Sequence, residues 1–112
     1  MNNLELIGSL DFAIEKCITE NALITSDKLS SDESIHFYKG ALYYEDGCRI
    51  GFNLSSGIQF LHDQEWTKDA KWYLVTYLTP EQEKAIADLH KLASRTYVPD
   101  FAERFRKIVR ML

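Results

Sequence analysis

A chain of 112 residues with 46% hydrophobic and 27% charged residues has the length and composition of one globular domain spanning residues 1–112. Its formal net charge of −4 at pH 7 argues against a protein that grips nucleic acid through phosphate contacts, so direct nucleic acid binding is not expected. No apolar run is long enough to cross a membrane and no signal-peptide pattern opens the sequence, which predicts a cytoplasmic protein without a membrane partner.

The first predicted element is an amphipathic helix near the N-terminus. Apolar residues recur at spacings of three and four between Leu10 and Ile18, as in a helix with one apolar face. Glycine costs about 1 kcal/mol relative to alanine inside a helix, so the helix either begins at Ser9, with residues 4–7 extended before it, or includes Gly8. In both cases it should end near Asn21.

The middle of the chain predicts β structure. Residues 26–34 (SDKLSSDES) are polar and rich in turn formers, which indicates a loop. Beyond this loop, segments rich in β-branched and aromatic residues predict an antiparallel meander of four or five strands. These segments are IHFY (35–38), ALYYE (41–45), CRIGFNL (48–54), GIQFLH (57–62) and AKWYLVTYLT (70–79).

The turn at Asp46-Gly47 sets the predicted register of this sheet. Asp-Gly is a strong signal for a two-residue type I′ turn, which would place Tyr44 opposite Arg49 and Tyr43 opposite Ile50. Paired residues share a face of the sheet. Tyr43 and Ile50 would therefore belong to the core, and Tyr44 and Arg49 to the opposite face.

That opposite face is the candidate surface for a partner. Its predicted residues combine aromatic, apolar and basic side chains: Phe37, Leu42, Tyr44 and Arg49. Phe37 joins them only if Lys39-Gly40 is a further tight turn, in which lysine is a poor residue for positive φ. The next hairpin is predicted around residues 55–57, Ser-Ser-Gly, with the glycine in the left-handed position.

The last strand and two helices complete the prediction. Residues 71–78 are apolar on both faces, as in a central strand. Thr79-Pro80-Glu81-Gln82 combines an N-cap, a proline at the first helical position and a capping box, so a helix should start there and end near Arg95. Another helix follows Pro99, and its apolar stripe from Phe101 to Leu112 must dock on its own sheet or on another subunit.

Together these elements predict an α+β fold: an N-terminal helix, a four- to five-stranded antiparallel meander sheet and two C-terminal helices. His36, His62 and His90 do not stand at metal-ligand spacing, and no nucleotide-binding or serine-hydrolase motif is present, so we expect no metal and no cofactor. Cys17 and Cys48 lie outside any paired motif and are expected to be reduced, largely buried thiols.

The leading interpretation is a non-enzymatic protein that acts by stoichiometric occlusion of a macromolecular partner. Its type would be an immunity protein, an antitoxin or a mobile-element inhibitor, and its partner a nuclease or a nucleic-acid-binding complex whose phosphate sites are met by carboxylates. The predicted contact residues are the acidic Asp27, Asp32 and Glu33 together with Phe37, Leu42, Tyr44 and Arg49.

Two alternatives stay open at this point. A small metal-free endoribonuclease-type toxin would use His62 or His36 as a base, with Arg49 and Lys71 as cationic groups. A homo-oligomeric structural or regulatory component would dock through residues 101–112, for example as a homodimer formed by the C-terminal helix.

Overall fold

The computed structural model describes residues 4–29 and 33–110, which form six strands and four α-helices. The strands are β1 (Glu5–Gly8), β2 (Ala22–Ser26), β3 (Ile35–Tyr38), β4 (Ala41–Tyr44), β5 (Arg49–Ile50) and β6 (Trp72–Tyr77). The helices are α1 (Leu10–Glu20), α2 (Leu54–Asp63), α3 (Pro80–Arg95) and α4 (Phe101–Val109), with a short 3₁₀ turn at Glu65–Lys68. The predicted α+β class is confirmed.

All six strands belong to one antiparallel sheet with the order β1-β6-β2-β3-β4-β5. Strands β2 to β5 follow one another as a meander, and β6 is inserted between β1 and β2. The apolar character of both faces of β6 correctly predicted a central strand, because β6 has a partner on each edge and packing on each side.

The N-terminal region agrees with the version of the prediction in which the helix begins after Gly8. Ser9 is the N-cap of α1, and its hydroxyl accepts a hydrogen bond from the backbone N–H of Phe12 at 3.3 Å. At the other end Asn21 adopts a left-handed conformation with φ of 52°, which ends the helix and turns the chain into β2. Strand β2 was not predicted, although all five of its residues are buried.

The prediction of a strand at residues 57–62 is wrong, because these residues belong to helix α2. Asn53 and Ser56 form a capping box: Asn53 Oδ1 accepts from the Ser56 N–H at 2.9 Å, and Ser56 Oγ accepts from the Asn53 N–H at 3.0 Å. The helix then places Leu54, Ile58 and Leu61 on one buried or half-buried flank. The predicted loop at residues 55–57 is therefore the first turn of this helix.

The predicted pairing of Tyr44 with Arg49 is also wrong. Tyr43 opposes Arg49 and Leu42 opposes Ile50, because the Tyr44 N–H donates to the Cys48 carbonyl at 2.9 Å and closes a wider loop. This register puts Arg49 on the face of Tyr43 and leaves Tyr44 on the other. By contrast, the two-residue turn at Lys39-Gly40 is confirmed, with φ of 43° and 75° at its two residues.

Helices cover both faces of the sheet. On the first face α1 and α2 enclose a core made of Leu10, Ala13, Ile14, Cys17, Ala22, Ile24, Ile35, Leu42, Ile50, Leu61, Trp72 and Leu74. On the second face α3 and α4 enclose a smaller core made of Leu23, Ile86, Leu89, Phe101 and Phe105. The apolar stripe of α4 thus packs on its own sheet as far as the structure describes it; Met111 and Leu112 lie outside the described residues. Within the described residues no helix is long and apolar enough to span a membrane.

Candidate functional site

The acidic residues predicted to contact a partner have separate positions. Asp27 Oδ1 accepts a hydrogen bond from the backbone N–H of Lys71 at 2.9 Å, and this bond holds the pKa of the Asp27 carboxyl below its usual value. Asp27 therefore joins the end of β2 to the start of β6. Asp32 lies outside the described residues, and Glu33 is exposed just before β3.

Three of the four predicted sheet residues share the first face of the sheet, and Arg49 lies on the second. Phe37 is half-buried and Leu42 is fully buried, at 0% exposure, against the core of the first face. Leu42 therefore cannot contact a partner while the protein is folded, which corrects its assignment as a contact residue. Arg49 is exposed, but on the second face beside Tyr43 rather than beside Tyr44.

Glu33 and Tyr44 do meet, at an open groove between α4 and the segments that precede β3 and follow β4. The wider end of this groove, about 700 Å³, is lined by Glu33, Tyr44, Glu45, Asp46, Cys48, Ala102 and Arg106. The narrower end, about 270 Å³, shares Glu33, Glu45 and Arg106 and adds Leu23, Thr25, Ser34, Val75, Phe105, Val109 and Arg110. We call this continuous depression the α4 groove.

One wall of the α4 groove is a single face of helix α4. Ala102, Phe105, Arg106, Val109 and Arg110 follow one another at the three- and four-residue spacings that bring side chains onto the same side of a helix. The apolar members of this set lie toward the sheet, and the two arginines lie at the rim. The groove therefore has an apolar floor and a charged border.

A half-buried ion pair joins the two walls. Glu45 Oε1 accepts from both Nε and Nη2 of Arg106 at 2.9 Å, and Ser34 Oγ donates to Glu45 Oε2 at 3.1 Å. Glu45 is only 7% exposed, so its charge depends on these donors in place of water. Because Glu45 follows β4 and Arg106 belongs to α4, the pair joins the loop after β4 to the helix.

The open end of the groove is acidic. The pKa of Tyr44 is raised by burial of its hydroxyl and by the neighbouring carboxylates of Glu33 and Asp46. Cys48 is exposed, so the expectation of a largely buried thiol is wrong for this residue and holds only for Cys17. Partial desolvation and Asp46 raise the pKa of the Cys48 thiol, so this cysteine is not activated as a nucleophile. Burial is the larger cause of both shifts, and the neighbouring carboxylates of Glu33 and Asp46 add a negative potential around Tyr44, which would attract a cationic group.

Two histidines form a separate buried pair under α3 and α4. His36 Nε2 and His90 Nε2 lie 2.8 Å apart, in a hydrogen bond between β3 and α3. Burial lowers the pKa of His36 to about 3 and that of His90 to about 4. The Tyr38 ring stacks on His90 and the Phe105 ring contacts His36, with ring centroids 4.2 and 4.5 Å apart. Both imidazoles are therefore neutral at pH 7 and are parts of the core.

The residues of the ribonuclease alternative are not brought together. His36 is 0% exposed and cannot reach an RNA phosphate in the folded protein. His62 lies on α2, where its Nε2 contacts Asp11 Oδ1 of α1 at 2.9 Å on the first face of the sheet. Arg49 projects from the second face. Residues 4–29 and 33–110 hold no group of three or more histidine, cysteine or carboxylate side chains arranged to bind a metal ion.

Sequence reasoning missed Glu45, Asp46, Cys48 and Arg106, which complete the groove. The amphipathic spacing of α4 did predict that Phe101 and Phe105 lie on its buried side. The Glu45–Arg106 contact, however, joins positions that are 61 residues apart, and no local pattern encodes such a contact. The available signal was Glu45, an acidic residue next to the Asp46-Gly47 turn, for which the sequence predicted no cationic partner.

The molecule is an α+β protein with an acidic groove beside its last described helix as the candidate site. No family model, curated protein or solved structure matches the chain. A function is therefore inferred from the chemistry of the α4 groove.

Proposed function

We propose that this protein is a non-enzymatic binding protein that occludes a basic surface of a nucleic-acid-handling protein in the cytoplasm. The observation that carries the proposal is the acidic end of the α4 groove, where Glu33 and Asp46 flank the half-buried ring of Tyr44. An immunity protein, an antitoxin or a mobile-element inhibitor would act in this way. Carboxylates would occupy the positions that phosphates take in the partner's own complexes.

The chemistry of the groove suits an arginine or lysine side chain of the partner. A cation beside Tyr44 would contact the ring face and lie within reach of the carboxylates of Glu33 and Asp46. Arg106 does not oppose this cation directly, because its Nε and Nη2 are engaged by Glu45. The acidic end would therefore contribute attraction, and the long-range field would speed the encounter with a basic partner.

The narrower end of the groove adds an apolar subsite. Leu23, Val75 and Val109 line it, and Phe105 forms part of its floor. A partner segment with a basic residue followed by an apolar one would place the first beside Tyr44 and the second in this subsite. Burial of such an apolar side chain contributes about 1.5–3 kcal/mol, which complements the charge-based attraction.

Removing the two exposed carboxylates should weaken the complex about 150-fold, since close charge pairs across an interface contribute about 1.5 kcal/mol or more each and the two together about 3 kcal/mol. Glu33→Gln with Asp46→Asn suits this test because both substitutions keep the shape of the side chain. Asn at position 46 also retains the oxygen that accepts from the Cys48 N–H at 2.9 Å. The partner would be captured from cells that produce the protein and purified, and its Kd for each variant would be measured by calorimetry at two salt concentrations.

The control variant is Glu15→Gln with Glu81→Gln, which removes the same charge from exposed positions outside the groove. It should leave the Kd within about twofold of the wild type, because distant surface charges contribute little to a complex. Equal weakening by the two double variants would mean that only net charge matters, and the proposed groove would be wrong.

A further inference from the structure

A second feature of the surface lies outside the α4 groove. Phe52, between β5 and α2, is 86% exposed, which equals the largest exposure found among the large hydrophobic residues that the structure describes. Scattered exposed apolar residues are common and need no explanation by themselves. Phe52 differs from them because the backbone on both sides of it is rigidly held.

Two glycines fix the chain next to Phe52. Gly51 has φ of 75°, and a Cβ atom there would lie 2.5 Å from the backbone nitrogen of Gly57. A Cβ atom on Gly57 would lie 2.3 Å from the carbonyl oxygen of Ile50. The turn before α2 is therefore pressed against the first turn of the helix, where only glycine fits.

Hydrogen bonds hold the other side of the same turn. Ser56 Oγ accepts from the N–H groups of Phe52 and Asn53 at 2.8 and 3.0 Å, and it can donate to the Asn53 carbonyl at 3.2 Å. Asn53 Oδ1 accepts from the Ser56 N–H at 2.9 Å. The Phe52 ring is thus displayed to solvent from a turn whose conformation is set before any partner binds.

Arg49 is hydrogen-bonded to the same turn that carries Phe52. Arg49 Nε donates to the Gly51 carbonyl at 3.2 Å, which ties the guanidinium to the turn. Across the described ranges Arg49 makes no ion pair with a carboxylate. Its terminal N–H groups can therefore meet an acidic group from outside the chain.

We propose that the Gly51–Asn53 turn is a preformed docking element for a protein partner that offers an apolar pocket bordered by a carboxylate. Phe52 enters the pocket, and Arg49 pairs with the carboxylate. A rigid aromatic anchor loses little conformational entropy on binding, and aromatic and arginine side chains are enriched at the centres of interfaces. The positive charge of Arg49 selects an acidic border over a basic one.

This inference rests on the proposed binding function only in requiring that the partner is a protein. Its contact point is separate from the acidic end of the groove. Cys48 lines the groove and Phe52 lies four residues further on, so the two points are at most about 14 Å apart along the chain. One partner can therefore reach both, with its basic segment in the groove and its apolar pocket over Phe52.

A photo-crosslinking analogue of phenylalanine in place of Phe52 tests the contact directly. Irradiation in cells that produce the protein should give one dominant crosslinked protein, and its crosslinked peptide should line an apolar pocket with an aspartate or glutamate at the border. The same analogue in place of Phe12, which is 61% exposed on α1, is the matched control and should give no dominant product. A crosslink only to a second copy of this chain, or no dominant product from position 52, would overturn the proposal.

Affinities for the purified crosslinked protein complete the test. Phe52→Ala should raise the Kd about 50-fold, and Arg49→Ala about fivefold, as expected for a central anchor and a bordering charge. Phe12→Ala should stay within about twofold of the wild type. Because Phe52 is 86% exposed, thermal unfolding of Phe52→Ala should match the wild type, which separates lost binding from lost folding.

These variants distinguish the proposed docking turn from the proposed role of the α4 groove. If Phe52→Ala weakens binding and the Glu33→Gln, Asp46→Asn variant does not, the docking turn stands and the proposed role of the groove fails. If Phe52→Ala binds within about twofold of the wild type while the groove variant is weakened, the docking turn is wrong and the groove stands.

Discussion

Lowering the pH from 7 to 4 should reduce the free energy of unfolding by about 6 kcal/mol more in the wild type than in a His36→Leu, His90→Leu double variant. The reason is the buried pair in which the two Nε2 atoms lie 2.8 Å apart. The hydrogen bond needs one Nε2 atom to carry a proton and the other to accept it. A proton added to either ring buries a charge, and protonation of both rings also removes the acceptor.

The direction of this pH effect follows from the number of protons that the folded and the unfolded protein bind. Unfolded histidines take up protons near pH 6.5, whereas the folded pair has pKa values lowered to about 3 for His36 and about 4 for His90. Between pH 6.5 and pH 3 the unfolded chain binds more protons than the folded protein. The contribution of the pair to the free energy of unfolding is therefore complete above pH 6.5 and is lost as the pH falls toward 3. Each histidine contributes a slope of at most about 1.4 kcal/mol per pH unit.

Urea unfolding at a series of pH values from 4 to 7 measures this effect. Leucine has nearly the volume of histidine, and replacing both partners of a buried hydrogen bond by apolar groups costs little, so the double variant should fold at pH 7. Its stability should change with pH only through the titratable groups that both proteins share, including His62 and the carboxylates. Parallel curves for the two proteins would contradict the buried neutral pair.

Replacing Gly57 by alanine should lower the free energy of unfolding by about 3 kcal/mol. In an ordinary helix position this change would instead stabilise by about 1 kcal/mol, because alanine has the higher helix propensity. Here the added Cβ atom would lie 2.3 Å from the Ile50 carbonyl oxygen, so α2 must move away from β5. The sign of the effect therefore reports the contact between helix and strand.

Ser55→Ala is the matched control for this prediction. Ser55 lies in the same turn of α2 and is exposed, so its replacement should be neutral or slightly stabilising. Denaturant midpoints for the two variants and the wild type decide the matter. If Gly57→Ala were as stable as Ser55→Ala, α2 would not be packed against β5 as described.

Elements with several agreeing local signals could be predicted from the sequence. The start of α3 is an example, because Thr79 and Gln82 form the expected capping box: Thr79 Oγ1 accepts from the Gln82 N–H at 3.1 Å, and the Gln82 side chain accepts from the Thr79 N–H at 2.9 Å. The Lys39-Gly40 turn had conflicting signals and was predicted only as a condition: the two segments that it joins have clear strand composition, but lysine is a poor residue for positive φ.

Helix α2 was missed because its local signals conflict. Its aromatic and β-branched residues favour a strand, and a short apolar run does not distinguish strand from helix by periodicity. The feature that starts the helix is the Asn53–Ser56 capping box. It was missed because the polar residues around Ser55 are also typical of a loop. Because residues 57–62 were predicted as a strand, the turn that exposes Phe52 was not predicted either.

The candidate site was predictable only in part. Glu33 and Tyr44 were recognised, but Tyr44 was paired with Arg49 because Asp46-Gly47 suggests a tight turn. Asp46 instead accepts from the Cys48 N–H at 2.9 Å and supports a wider loop, which puts Arg49 on the other face. A shift of one residue exchanges the faces of a strand, so the error in the turn separated Arg49 from the other predicted sheet residues.

The most direct measurement of the central claim is amide hydrogen exchange of the protein alone and in complex with its purified partner. Binding in the α4 groove should slow exchange in peptides that cover Glu45–Cys48 and Ala102–Arg110, with exchange in Leu10–Glu20 unchanged. Slowed exchange confined to Leu10–Glu20, with none at the groove, would contradict the proposed function.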